Sequence, residues 1–304
     1  MKRLLALLML LAAPALAAPV DQAGWNGRKQ TVALPNGTRL AYVEMGDPAG
    51  PPLLLLHGYT DTSRSWSLVA PYLPTHRLLM PDQRGHGGSD KPECCYAPSD
   101  FAHDARLFLD AMGVERAAVA GHSLGSMVAQ TLAAEHPERV SKLILIGSTS
   151  LAPVKRGDWL WTEVNGLADP IEPGSRFMRE WSPANAPTPV DPGFAAAAMT
   201  EILAVPRHVW RGVLRELVDV PVGRLAPDIS SPTLILSGGK DPIFPPHHHR
   251  ALTKALPHAQ AHVFAALGHN LNWERPEEVA AAMAEFLAAS GDSPARRARH
   301  GARR

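Results

Sequence analysis

The sequence predicts an α/β protein built on a doubly wound sheet. Three observations predict it. Apolar strand-like runs alternate with amphipathic stretches of about a dozen residues, the signature of βαβ units. The run "PPLLLLHG" (51–58) is apolar without a break, which suits a strand covered on both faces. The stretch "VAGHSLGSMVAQ" (119–130) places one serine between two glycines where such a strand meets an Ala-rich helix.

The elements follow in order. "QTVALPNGTRLAYVEMG" reads as two strands joined at Pro35-Asn36-Gly37, an Asn-Gly hairpin signal. After "PPLLLLHG", the stretch "TSRSWSLVAPYL" reads as helical, "HRLLMPD" as a strand and "DFAHDARLFLDAMGV" as an amphipathic helix. "RAAVAGHS" is the next strand, and "LGSMVAQTLAAEHP" the next helix, stopped by Pro137. "VSKLILIGS" is a further strand. The alternation lapses from about Ser148 to Ile229, a proline-rich stretch with no clean strand and four of the seven tryptophans: Trp159, Trp161, Trp181 and Trp210. "FAAAAMTEILAVP" and "RHVWRGVLRELV" are its helical segments. The pattern resumes with "PTLILSGGKD" (strand), "HHHRALTKALP" (helix), "AQAHVFAALGHN" (strand and loop) and "PEEVAAAMAEFLAAS" (helix). The expected layout is a sheet body over 28–147 and 230–290, a helical insertion over 148–229, and a basic tail over 291–304.

Composition narrows the function classes. The 304 residues carry a formal net charge of +1, which argues against nucleic acid as a partner. Residues 1–17 have the build of a secretory signal peptide: Lys2 and Arg3, a short apolar run, and an Ala15-Leu16-Ala17 cleavage site. The run is short of the roughly 20 residues a membrane span needs, so the expectation is an exported protein, periplasmic or extracellular, with no stable span after cleavage. The only cysteines are the neighbours Cys94 and Cys95. Their Cα atoms lie about 3.8 Å apart by chain geometry, below the usual disulfide window of about 4.4–6.8 Å, so free thiols or a link to another chain are expected.

The spacing Gly121-x-Ser123-x-Gly125 has a physical purpose. Two glycines let the chain turn sharply from strand to helix without side chains striking neighbouring backbone, and the serine is held in a strained turn with its hydroxyl exposed. A serine is a weak nucleophile until a base takes its proton, and the base needs an orienting carboxylate. Asp241 stands just past the strand "LILSG", and His269 just past the strand "AHVF", at the same sheet edge as Ser123. The alternatives are weaker. Asp219 and Asp228 lie in or near the insertion, His258 and His262 before or inside a strand, and the His122 side chain should point away from the Ser123 hydroxyl. The oxyanion formed by serine attack needs fixed donors. The Leu124 N–H at the helix start and the Tyr59 N–H after "LLLLHG" are the candidates. His57 is expected to pack or hydrogen-bond within its loop.

"LLLLHGYTDTSRSW", "LLMPDQRGHGGSD", "AVAGHSLGSMVA", "LILSGGKDPIFP" and "GHNLNWERPEEV" together resemble the α/β-hydrolase fold family, in its serine esterase and lactonase-like branch. The resemblance covers roughly Thr31 to Ala289. It implies an eight-stranded, mostly parallel sheet, a helical cap after the sixth strand, and Ser123, Asp241 and His269 as the triad. It also implies that Asp82, Arg84 and Gly85 brace the loop after the fourth strand. Relatives that dehalogenate or open epoxides carry Asp at the elbow, and Ser123 departs from that.

The expectation is therefore an exported serine hydrolase acting on an apolar ester or lactone of small size, without metal or organic cofactor and with its oligomeric state open. Carbon–carbon bond hydrolysis of a diketone-like acid, or perhydrolysis, would use the same triad. A ligand-binding protein that has kept the fold is the reading from another class. His247-His248-His249 suggests a metal site, but three consecutive residues at a helix start point in different directions.

Overall fold

The structure is a computed structural model describing residues 20–219 and 221–289. The signal peptide expected over 1–17 and the tail expected over 291–304 lie outside the described residues.

Eight strands form one sheet: β1 (Gln30–Ala33), β2 (Arg39–Gly46), β3 (Pro52–Leu56), β4 (Arg77–Pro81), β5 (Ala117–His122), β6 (Val140–Ile146), β7 (Thr233–Gly238) and β8 (Gln260–Phe264). Their order is β1-β2-β4-β3-β5-β6-β7-β8, with β1–β2 and β2–β4 antiparallel and every other pair parallel. The predicted fold class is the observed one. The apolar runs are continuous because the sheet is buried on both sides. Leu54, Leu56, Val119 and Leu145 pack into one cluster, while Leu53, Leu55, Ala120 and Ile146 pack into the other. Each leucine so buried contributes about 1.5–3 kcal/mol.

The main covering helices are α1 (Pro98–Ala111), α2 (Leu124–Glu135), α7 (Pro246–Ala255) and α9 (Pro276–Ala288). Between β6 and β7 come α3 (Trp159–Asn165), α4 (Arg176–Trp181), α5 (Pro192–Leu203) and α6 (Arg207–Leu217); α8 (Leu271–Glu274) precedes α9. Polar contacts fasten this helical segment to the body. Glu201 accepts from Thr62 Oγ1 (2.6 Å) and from Arg64 (2.7 Å), and the Tyr59 hydroxyl donates to the Trp210 carbonyl (2.5 Å).

Two expectations are corrected. "TSRSWSLVAPYL" is not one helix but two short 3₁₀ turns, Ser63–Trp66 and Ala70–Tyr72. Thr62 Oγ1 accepts from the Arg64 N–H (3.2 Å). Short polar side chains compete for backbone partners in this way, and Pro71 has no N–H to carry a helix on. Cys94 and Cys95 are not free thiols: they are joined as a vicinal disulfide. Cys95 adopts the left-handed region (φ 73°), a backbone conformation that ordinary bridge spacing does not anticipate.

Candidate active site

The order of the strands reverses around β3, whose neighbours are β4 on one side and β5 on the other. At such a switch point the loops leaving the carboxyl ends part, and a crevice opens between them. The β3 loop and the turn after β5 lie side by side there, since Leu56 pairs with Gly121.

Ser123 sits in that turn with φ 52° and ψ −118°, a strained conformation for a residue with a side chain. The flanking glycines explain how the turn is reached. A Cβ on Gly121 would overlap the Gly125 carbonyl, and one on Gly125 would overlap the Leu56 carbonyl of β3. The serine is thus pushed to the crest of the turn, and helix α2 starts immediately behind it.

The structure brings the three predicted side chains together. His269 Nε2 lies 2.8 Å from Ser123 Oγ, and His269 Nδ1 lies 2.8 Å from Asp241 Oδ2. Asp241 is fixed from its other oxygen, which accepts from the Ile243 and Phe244 N–H groups at 2.8 Å each. Burial alone would push the Asp241 carboxyl up. The close contact and hydrogen bond with His269, with those two amides, outweigh it and hold the carboxyl below its ordinary value. A carboxylate so held keeps the proton on Nδ1 and leaves Nε2 to accept from the serine. The rival acids Asp219 and Asp228 are exposed, as are His258 and His262.

The Gly58–Tyr59 peptide lies against the serine. A Cβ on Gly58 would come within 3.3 Å of Ser123 Cβ, 3.0 Å of His122 Nδ1 and 2.7 Å of Asp61 Oδ2. Among the described residues, no group accepts from the Tyr59 or Leu124 N–H. Two buried imidazoles hold this loop. His57 Nδ1 meets the Gly58 carbonyl (2.8 Å), and its Nε2 accepts from the Gln83 N–H (2.9 Å). His86 Nδ1 meets the Arg84 carbonyl (2.8 Å), and its Nε2 accepts from the Thr60 N–H (3.2 Å). Behind them, Asp82 accepts from the Ser63 and Gly88 N–H groups and pairs with Lys29. Arg84 forms a two-pronged pair with Asp104.

A cavity of about 390 Å³ opens over Ser123. Tyr59, Trp159, Trp181 and Trp273 supply aromatic wall, and Leu160 and Ile202 add aliphatic surface. Of the insertion's four tryptophans, Trp159 and Trp181 line it, whereas Trp210 is wholly buried. Sequence alone misses Asp61 as a lining residue and sets His122 aside. His122 forms no hydrogen bond with the Ser123 hydroxyl but still lines the cavity: its Nε2 lies 3.1 Å from the His269 carbonyl, and its ring is 5.2 Å from the His269 ring. The only signal for Asp61 is its place on the loop that carries Tyr59. His248 and His249 engage Thr149 and Ser237 separately, so they face different partners.

A family model described as alpha/beta hydrolase fold matches residues 51–276. The chain is 30% identical to a 2-hydroxymuconate semialdehyde hydrolase of Pseudomonas sp. (strain CF600), covering 79% of this chain and 88% of that protein. It is 28% identical to Lipase 1 of Psychrobacter immobilis, over 79% and 78% of the two chains. Among solved structures, it is similar to a hydrolase from Pseudomonas aeruginosa PA01, with TM-score 0.75 and 26% identity over 86% of this chain and 99% of that one. The chain belongs to the alpha/beta hydrolase fold family.

Proposed function

We propose that the protein is an exported serine hydrolase that cleaves a carboxylic ester or lactone through an acyl-serine intermediate. One observation carries this reading: Ser123 Oγ, His269 and Asp241 stand in an unbroken hydrogen-bonded chain, with both links at 2.8 Å, on the floor of an apolar cavity. Ser123 Oγ attacks the substrate carbonyl as its proton passes to His269 Nε2. The Tyr59 and Leu124 N–H groups receive the oxyanion, a contribution of about 3 kcal/mol for each such donor. His269 then gives its proton to the departing alcohol oxygen, leaving the acyl group on Ser123. Water enters, His269 takes its proton, and collapse of the second tetrahedral adduct releases the carboxylic acid and restores the serine. Asp241 orients the imidazole throughout. The helices between β6 and β7 serve as the cap that walls the acyl or aryl group.

Carbon–carbon cleavage of a diketone-like acid would use the same three residues. Among the described residues, no Lys or Arg lines the cavity to receive that acid's carboxylate, which favours the uncharged ester.

The mature protein, beginning after Ala17, is expected to hydrolyse short p-nitrophenyl esters. Ser123→Ala should lower kcat by at least about a thousandfold, and a fluorophosphonate probe should label Ser123. Labelling of another residue, or full activity in the alanine variant, would overturn the mechanism. Mass spectrometry of protein recovered outside the cytoplasm tests the cleavage after Ala17.

A further inference from the structure

The cavity wall holds a carboxylate that the proposed chemistry does not use. Asp61 is 8% exposed and faces the space above Ser123. Among the described residues no donor reaches its oxygens. The His122 Nδ1 beside it is 3.8 Å away, outside hydrogen-bonding distance.

His122 cannot supply the missing donor in its neutral form. Its Nε2 meets the His269 carbonyl, which only accepts, so Nε2 carries that proton and Nδ1 is left as an acceptor. That Nδ1 is itself buried and unpartnered. Two acceptors therefore face one another in this corner with no donor between them.

The other charged groups nearby are already engaged. Glu274 accepts from the Gly268 N–H (2.8 Å) and the Thr188 N–H (3.1 Å), and Glu180 pairs with Arg176 (2.7 Å). Arg64 shares a small cleft with Asp61, but its two terminal nitrogens are bound to Glu201 and to the Gln22 carbonyl and side chain, and its unpartnered Nε forms no hydrogen bond to Asp61. Among the described residues, the cavity wall thus holds one carboxylate without a donor and no cation except its histidines. The Asp61 oxygens open onto the cavity, so a ligand there can donate to them directly; a hydrogen bond to a charged group contributes about 1.5–3 kcal/mol.

We propose that Asp61 is a substrate-binding residue: it takes a hydrogen-bond-donating or positively charged group of the ester, and it turns away esters that carry a carboxylate. This rests on Ser123 being the nucleophile of the same cavity. Asp61 and Ser123 line the same cavity of about 390 Å³, so a charge on a bound ester is held near Asp61 with little screening by salt. The aromatic wall from Tyr59 and Trp181, with ring centroids 5.9 Å apart, suits the same ligands, since an aromatic face attracts a cation.

Four butanoate esters separate the possibilities. Glycerol monobutanoate offers hydroxyl donors, and butanoylcholine offers a cation without a donor. Its neutral isostere is 3,3-dimethylbutyl butanoate, and 4-butanoyloxybutanoate carries a carboxylate. In pH-stat assays, kcat/KM for the glycerol ester, the choline ester or both should exceed the neutral isostere at least tenfold. The carboxylate ester should fall at least tenfold below it. Whichever of the first two leads identifies the group as hydroxyl or cation. Asp61→Asn should narrow the gap between the choline and carboxylate esters at least tenfold. Calorimetric binding of the same four compounds to Ser123→Ala should give the same ranking without turnover. If nothing is hydrolysed but that ranking holds, the hydrolase mechanism fails and the role of Asp61 stands. If the carboxylate ester binds and reacts within threefold of 3,3-dimethylbutyl butanoate, the role of Asp61 is overturned, with or without the variant.

Discussion

Lowering the pH from 7.5 to 4 should destabilise the fold through His57. This imidazole is wholly buried, and both nitrogens are committed in the neutral form: Nδ1–H donates to the Gly58 carbonyl and Nε2 accepts from the Gln83 N–H. A second proton would displace the Gln83 amide and put a charge beside the His86 ring, 5.1 Å away. Burial is the main cause that lowers its pKa, to about 3; His86 and Lys29 push the same way, against the Gly58 carbonyl and Asp82. In the unfolded chain the histidine titrates near its ordinary 6.5, so below that pH the unfolded state takes up the proton first. The stabilisation is therefore complete above pH 6.5 and is lost as pH falls towards 3. The slope is about 1.4 kcal/mol per pH unit, or about 5 kcal/mol across the window, comparable with the whole stability of a typical domain. His86 is held neutral in the same way and steepens the slope; Asp82 and Asp241, both lowered, act only below about pH 3.8. The assay is guanidinium unfolding followed by tryptophan fluorescence at half-unit steps of pH. His57→Gln should unfold more easily at pH 7.5 yet show the shallower slope. A wild-type curve that is flat from pH 6.5 to 4, or a variant with the unaltered slope, would refute the reasoning.

Three further outcomes are expected. Gly125→Ala should cost about 3 kcal/mol, read as a lowered denaturation midpoint, because the added methyl overlaps the Leu56 and His57 carbonyls and neither can yield without moving β3. Arg84→Ala should destabilise by about 3–5 kcal/mol in the same measurement, since it leaves the buried Asp104 carboxylate without its cation. Glu201→Ala should expose helix α5 to limited proteolysis while strands β3–β7 stay resistant, because Thr62 and Arg64 lose the side chain that ties that helix to the body.

What the sequence made visible follows from how each part is buried. Strands β3, β5, β6 and β7 are covered on both faces, so their apolar runs are unbroken and their bounds legible. Ser123, Asp241 and His269 could be named because each follows a strand at the same sheet edge, and strand ends are where a parallel sheet gathers functional groups. Helices α3 and α4 were illegible: six or seven residues give no apolar periodicity. Asp61 escaped because nothing local tells that its loop folds back over the elbow. Cys94 and Cys95 misled because the usual spacing rule assumes ordinary backbone, and Cys95 departs from it.

Strands β6 and β7 lie side by side, with Leu143 level with Thr233, so the long excursion between them departs and returns through adjacent doorways. Its two stems are stapled where the Asp219 N–H meets the Val154 carbonyl (3.0 Å) and the Gly223 N–H meets the Ser150 carbonyl (2.7 Å). A chimera that transplants a foreign excursion onto those stems would leave Ser123, Asp241 and His269 on undisturbed scaffolding. The wall over Ser123 can then change by graft while the three strand ends beneath it are inherited intact.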